Sequence, residues 1–449
     1  MKKKLIALAL TLAMALGLAA CGGSADPGTG SSSSPAPGSA ETPSSGEHEP
    51  VTLRFYNYAL AEEAKASWWQ ETVDKFQAEN NWITIESVAV DYNSMISTFT
   101  NDLASGLSVD MIFGEVSWIP ALVEGGFIQP LDQVMDADFY AGYEDFALEQ
   151  MSYAGGVYGA PLYYSPSLIF VNKDLIEGAG LSMDDFPTTL DDLKTWIETL
   201  ADYYAGGDVS TIFGLTTSEV SATGANIKSM LASFGGTLIA EDGTLASFEE
   251  DPNATAWAEM MDFYNYLISN GYTQENQKLK DYRAAFGAGN VCMYVDNSWG
   301  YAQIGEVDAN ADAFTVTAPI PATMGTYGTG ASTIQIQNLL IGNNLSDGQR
   351  EAVNLFIQYV TSNEALEEYM NTVNLAFPLH AGMADCQTSP ILEGALPGIE
   401  NIVSYVPIGA MISVETELAT AVLNYTVNGM SLEDTLASYI AEANYYINQ

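Results

Sequence analysis

From residue 51 onward the apolar positions of this chain fall into two rhythms that alternate with one another. Short apolar runs at 51–56, 83–90 and 110–113 read as strands. Each is followed by a stretch with apolar positions three and four apart, at about 62–79, 92–104 and 118–125, that reads as a helix. Strand and helix alternating at this spacing build parallel βαβ units, so the fold class is α/β. In open sheets of this kind ligands lie beyond the carboxyl ends of the strands. That rule puts three loops at one edge: Asn57-Tyr58, Asp91-Tyr92 and the segment from Gly114 to Trp118.

The pattern changes between Gly155 and Leu175, where a Gly turn leads to an extended segment interrupted at Pro161 and Pro166 and then to an apolar strand at 168–171. The prolines hold the backbone away from helix, so Tyr163 and Tyr164 between them are expected to line a cleft. This stretch is predicted to be the first crossing between two lobes. Beyond it the spacing predicts helices over 190–203, 225–234, 252–270, 279–287, 349–361, 365–373, 414–423 and 432–446. Strands are predicted over 213–216, 291–295, 314–319 and 332–341.

The first 50 residues follow neither rhythm. Residues 1–21 have a basic start, an apolar run too short to span a membrane, and small residues before Cys21, which reads as an export signal. Its end, Leu18-Ala-Ala-Cys21-Gly22, resembles the lipobox of bacterial lipoproteins, which implies lipid on Cys21 and tethering to the outer face of the cell membrane. Residues 22–50, rich in Gly, Ser and Pro, have no aliphatic side chain larger than Ala and read as a flexible tether.

A length of 449 residues suits two lobes rather than one core, and 47% hydrophobic content is ample to pack them. The formal charge of −44 repels nucleic acid and anionic lipid, so neutral or cationic ligands fit best and no nucleic-acid partner is expected. Three cysteines form no disulfide framework: Cys292 sits in an apolar run and Cys386 in a loop. A bridge between them is an open alternative to two free thiols. Two histidines, His48 and His380, leave no basis for a His triad or metal cluster, and no P-loop, Gly-x-Ser-x-Gly or His-Glu-x-x-His motif occurs. The run Asp308-x-Asn310-x-Asp312 starts like a calcium loop, but Ala313 replaces its glycine and Pro319 its closing Glu. No cofactor, no metal and no catalysis are expected.

Five fragments in order resemble the extracellular solute-binding proteins of ABC importers, in particular the family that includes maltose- and other sugar-binding proteins. These are Asp110-Met-Ile-Phe113, Glu124-Gly-Gly-Phe-Ile-Gln-Pro-Leu-Asp132, Gly156-Val-Tyr-Gly-Ala-Pro161, Phe170-Val-Asn-Lys-Asp-Leu175 and Pro187-Thr-Thr-Leu-Asp-Asp-Leu193, with Leu190 in place of the usual Trp. The resemblance implies a two-lobe periplasmic-binding-protein-like (type II) fold, each lobe a mostly parallel sheet flanked by helices, joined by a multi-segment hinge. The lobes would be 51–163 plus about 335–385, and about 167–332 plus about 390–449.

The function implied is capture of a mono- or oligosaccharide by a monomeric receptor and its delivery to ABC permease subunits. A polyamine, a peptide or an amino-sugar derivative is the alternative solute, and a surface glycan hydrolase or adhesin the alternative class. Sugars offer apolar C–H faces and hydroxyl rims, which call for aromatic faces with amide and carboxylate acceptors. Trp299 matches a family position after a Met-containing strand and is the first candidate. Tyr163, Tyr164, Trp118 and Tyr58 are the other aromatic candidates, with Glu115, Asp296 and Asn297 as hydroxyl acceptors. Trp68, Trp69, Trp196 and Trp257 lie inside amphipathic patterns and are expected to pack the cores, as are Tyr439, Tyr445 and Tyr446.

Overall fold

A computed structural model describes residues 48–361, 364–399, 401–403 and 406–449. The signal segment, Cys21 and nearly all of the tether lie outside the described residues. At 48, three residues before the first strand, the chain already packs on the body: the His48 ring stacks on Trp82 at 4.4 Å and its Nδ1 lies 3.5 Å from Glu351.

Eight strands carry the framework: β1 (Val51–Asn57), β2 (Ile83–Ala89), β3 (Met111–Glu115), β4 (Ala160–Asn172), β5 (Thr211–Gly214), β6 (Val291–Asn297), β7 (Thr315–Ala318) and β8 (Ser332–Ile341). They belong to one ten-stranded sheet in the order β2-β1-β3-β8-β4-β6-β5, with β7 also paired to β4. Pairing is parallel within β2-β1-β3 and between β5 and β6. The long strands β4 and β8 run antiparallel to each other and to their other principal neighbours. Parallel neighbours need a helical crossover, which α1 (Glu63–Glu79) and α2 (Met95–Ala104) supply in the first half.

The segment expected to be interrupted at two prolines is instead one thirteen-residue strand, β4. Proline lacks the N–H that a ladder needs, so it survives in a sheet only where the ladder is irregular. Pro161 sits at a bulge, since Gln337 pairs with Tyr163 and Asn338 with Pro161, which leaves Leu162 unpaired in the register. Pro166 sits where β4 changes partner, from β8 up to residue 166 to β6 from Ser167 onward. Short strand Phe377–Pro378 adds to β4 at Tyr164 and Tyr163.

Side chains alternate across a strand, and β4 uses both faces to seed separate cores. Leu168 and Phe170 enter a cluster with Tyr282, Phe286, Tyr294 and Leu392. Ile169 and Val171 enter another with Leu193, Ile197, Trp257, Met260 and Leu418. A third cluster, around Phe55, Trp69, Phe113, Leu339 and Phe356, takes Leu162 and Tyr163 from the start of the same strand.

The helices of the second half are α3 (Leu190–Tyr203), α4 (Ser221–Ser233), α5 (Asn253–Ser269), α6 (Leu279–Gly287), α7 (Tyr301–Val307), then α8 (Asp347–Thr361), which packs with the cluster around Phe55 and Trp69, α9 (Met411–Thr426) and α10 (Leu432–Ile447). Helix α3 shows why the sequence starts where it does: Thr189 caps it, its hydroxyl accepting from the Asp192 N–H at 3.1 Å, and Leu190, Leu193, Ile197 and Leu200 then face the core. Trp69, Trp196 and Trp257 are buried, whereas Tyr445, expected to pack, is 60% exposed on the outer side of α10. Both Cys292 and Cys386 are free thiols.

Helices α4 and α9 approach closely because of Gly224. A Cβ there would lie 1.7 Å from the Glu415 carbonyl oxygen, which is backbone and cannot swing aside. Gly224→Ala is expected to wedge the two helices apart and to cost about 1–3 kcal/mol or more. Urea denaturation checks this, and an unchanged midpoint would show that the helices give way freely.

Candidate functional site

The chemistry-bearing residues gather at the carboxyl ends of β1 and β3. Tyr58 follows β1 directly, Tyr92 follows β2, and Glu115 and Trp118 end and follow β3. The three rings pack on one another: Tyr58 edge-on to Tyr92 at 5.2 Å and 88° and to Trp118 at 6.1 Å, and Tyr92 tilted at 45° to Trp118 at 5.5 Å. Glu115 lies against them, with Oε2 accepting from the Tyr92 hydroxyl at 2.6 Å and Oε1 from Gln337 Nε2 at 3.1 Å. The Tyr58 hydroxyl donates to Gln337 Oε1, so β8 is stitched to the same group. Tyr58, Trp118 and Gln337 are buried, while Glu115 and Tyr92 keep part of their surface exposed.

Burial pushes the Glu115 carboxyl up to about 7; the Tyr92 and Gln337 hydrogen bonds oppose this, Glu415 adds to it and Lys65 counters it. The two charged groups that act on Glu115, Lys65 and Glu415, each have an ion-pair partner of their own. Lys65 Nζ pairs with Glu62 at 2.7 Å, and Lys228 on α4 pairs with Glu415 on α9 at 2.6 Å, the latter pair buried on both sides. A carboxyl raised in the folded state binds a proton that the unfolded chain releases, so its contribution to stability is present below about pH 4.5 and is lost as pH rises through about 7. Glu115→Gln is expected to remove this part of the pH dependence. Melting curves of both proteins across that window check the difference.

Trp299 stands on the turn after β6 and is 8% exposed. Although its strand belongs to the second half, its side chain joins the cluster around Phe55, Trp69 and Phe113 and lies 6.4 Å from Tyr163. Tyr163 also faces Tyr369 at 6.0 Å, while Tyr164, on the opposite face of β4, packs on Phe146 and Phe377.

Asp296 and Asn297, read from sequence as hydroxyl acceptors, are occupied by the fold. Asp296 is fully buried and bidentate to Arg283, with Nε to Oδ2 at 2.7 Å and Nη2 to Oδ1 at 2.8 Å. Asn297 donates through Nδ2 to the Ser165 carbonyl at 3.4 Å, and the next residue, Ser298, donates its N–H to the Ser165 hydroxyl at 2.6 Å. Asp296 therefore fastens β6 to α6, and Asn297 fastens it to β4.

A surface hollow of about 520 Å³, lined among others by Thr237, Glu250 and Val406, shares no residue with the aromatic group. Among the described residues, no three His, Cys, Asp or Glu side chains are placed to hold a metal ion, and no helix is long and apolar enough to cross a membrane.

The family model described as bacterial extracellular solute-binding protein matches residues 71–393, most of the chain. The protein belongs to the bacterial extracellular solute-binding protein family. This solute-binding protein has a sequence relative in Brucella abortus (strain 2308), described as a putative binding protein, that is 28% identical over 276 residues. The match covers 60% of the chain and 64% of the relative, less than two thirds of that relative's length.

Solved structures share the fold. An ABC transporter solute-binding protein from Thermotoga lettingae TMO, bound with alpha-D-tagatose, superposes with a TM-score of 0.75 at 17% identity, covering 89% of this chain and 100% of the other. The GacH receptor of Streptomyces glaucescens GLA.O, solved unliganded and with acarbose, gives 0.75 at 18% identity, with 89% and 98% covered. Maltose-bound MalE3 of T. maritima gives 0.74 at 16%, with 88% and 99% covered. The two-lobe α/β architecture of this solute-binding protein follows from these superpositions, and both its family and its structural neighbours are binding proteins.

Tyr92, Gln337 and the Lys228–Glu415 pair escaped the sequence reading as site residues. The strand-end rule did mark the Asp91-Tyr92 loop. Gln337 had no distinguishing signal, since Ser332, Thr333, Gln335 and Asn338 of the same strand are polar too.

Proposed function

We propose that this solute-binding protein is the receptor of an ABC importer, and that it captures a mono- or oligosaccharide between two lobes for delivery to permease subunits. The lobes proposed are 51–163 with about 335–385, and about 167–332 with about 390–449. The observation that carries the reading is the group of Tyr58, Tyr92 and Trp118 beside Glu115 and Gln337 at the strand ends. Aromatic rings suit the C–H faces of a sugar, and carboxylate and amide oxygens suit its hydroxyls. Trp299 packs on Tyr163 of the crossing strand and is the further aromatic candidate. The sugars named with the three structural neighbours support the same solute class.

The receptor reading includes a lipid on Cys21 that holds a monomeric body outside the cell membrane through the 22–50 tether, and no turnover of the bound solute. Cys21→Ala is expected to release the protein from the membrane fraction, and continued partition there would refute the anchor.

A thermal-shift screen over sugars, peptides and polyamines tests the solute. A sugar present at a hundred times its dissociation constant stabilises the folded state by about 2.7 kcal/mol. A clear polyamine or peptide response with no sugar response would overturn the carbohydrate reading.

A further inference from the structure

We propose that Asn428 is a site of spontaneous covalent modification, losing its side-chain amide to attack by the Gly429 backbone nitrogen. The other Asn-Gly pair of the chain, Asn270-Gly271, is held back by its hydrogen bonds.

Both pairs stand where a helix ends. Asn270 follows α5, and Asn428 lies in the turn between α9 and α10. Both asparagines are exposed, and both glycines have positive φ, 70° at Gly271 and 72° at Gly429. Each glycine sets no Cβ beside the attacking nitrogen. Sequence, exposure and backbone class therefore do not tell the two pairs apart.

Hydrogen bonding does. The Gly271 N–H donates to the Ile268 carbonyl at 3.0 Å, and Asn270 Nδ2 donates to the Tyr266 carbonyl at 2.8 Å. The nucleophile and the group under attack are thus both tied to the last turn of α5. At the second pair the Gly429 N–H donates to no acceptor among the described residues, and Asn428 Nδ2 donates to the side chain of Asn424 at 3.0 Å rather than to backbone.

The reaction needs water alone. The Gly429 nitrogen gives up its proton to hydroxide and bonds to Asn428 Cγ, closing a cyclic imide. The Cγ–Nδ2 bond breaks, and Nδ2 takes a proton from water and leaves as ammonia. A second water opens the imide at one carbonyl or the other. The product is an aspartate or, with the main chain rerouted through the side chain, an isoaspartate. No atom changes oxidation state.

Either product sets a carboxylate beside the carboxyl end of α9, where the helix dipole is already negative. The isoaspartate also inserts a methylene between the Asn428 N–H, which donates to the Leu423 carbonyl at 3.0 Å, and the Met430 N–H, which donates to the Asn424 carbonyl at 2.9 Å. Both bonds close the end of α9, so the turn into α10 loosens.

The intact protein is aged at mildly alkaline pH and followed by peptide mass mapping, with an isoaspartyl methyltransferase as the probe for the rerouted product. Native Asn428 is expected to convert at least about tenfold faster than Asn270, because the Gly271 and Asn270 hydrogen bonds must break before that pair reacts. In protein unfolded by guanidinium chloride the two should convert at similar rates, since the difference lies in the fold. Ageing should lower the melting temperature of the parent and leave that of Asn428→Gln unchanged. Equal native rates, faster conversion at Asn270, or a preference for Asn428 that persists in the unfolded chain would overturn the inference. Converted parent protein that melts like fresh protein would overturn the loosening of the turn.

Discussion

Asp296→Ala is expected to cost the folded protein about 3–5 kcal/mol, because it strands the Arg283 guanidinium in a buried position. The carboxylate is fully buried and accepts two charge-assisted hydrogen bonds from Arg283, at 2.7 and 2.8 Å, as well as the Asn297 N–H at 2.7 Å. Deleting it removes all three acceptor contacts in a closely packed place, where a Cβ on Gly300 would lie 2.2 Å from Asp296 Oδ2 and 2.9 Å from Arg283 Nε. Replacing the whole pair, as Asp296→Leu with Arg283→Met, should recover most of the loss, since the desolvation cost of both charges disappears together. Chemical denaturation of the two single variants and the double variant gives the coupling energy. If the single variants prove as stable as the parent, the pair is not holding β6 in place. Solute affinity supplies a second measurement, because an acceptor that touched the solute would lose binding in the double variant even where stability returns.

Trp299→Ala is expected to reduce both stability and binding. Truncating a buried indole costs about 3–5 kcal/mol through lost contacts and the cavity left behind. The ring comes from the turn after β6 and packs in the cluster built on β1, β3 and β8, so it joins the two halves of the molecule. We expect solute affinity to fall at least about tenfold as well, in keeping with the proposed place of Trp299 at the cleft. A variant that melts lower but binds the solute as tightly as the parent would make the ring a packing residue alone. Trp299→Phe separates the two effects, since it keeps an apolar ring in the cluster while it shortens the surface offered to a sugar.

The elements were legible because the pattern that names them is local. The α3 and α6 boundaries at 190–203 and 279–287, and those of β8 at 332–341, match the sequence spacing, since caps and apolar period coincide there. Strand β4 was not fully legible: two prolines argue against a central strand, and only the register slip opposite Asn338 and the change of partner after Pro166 make room for them. Nothing near Pro161 or Pro166 in the sequence records what β8 and β6 do opposite them. The site shows the same division. Tyr58, Glu115 and Trp118 could be picked out because strand ends define an edge. Asp296 and Asn297 satisfied the same rule, yet Arg283, thirteen residues upstream on α6, and Ser165, on β4, claim their polar atoms. Rules of local position name who stands at an edge; they do not say who is already held by a neighbour distant in sequence.

Strands β4 and β8 have a thermodynamic consequence of their own. Each contributes backbone ladders to both halves of the one sheet, so neither half can melt without stripping hydrogen-bond partners from the other. Denaturation has no natural seam at which to pause, and a body of some four hundred residues should lose its structure in a single sigmoidal step with coincident near- and far-ultraviolet signals.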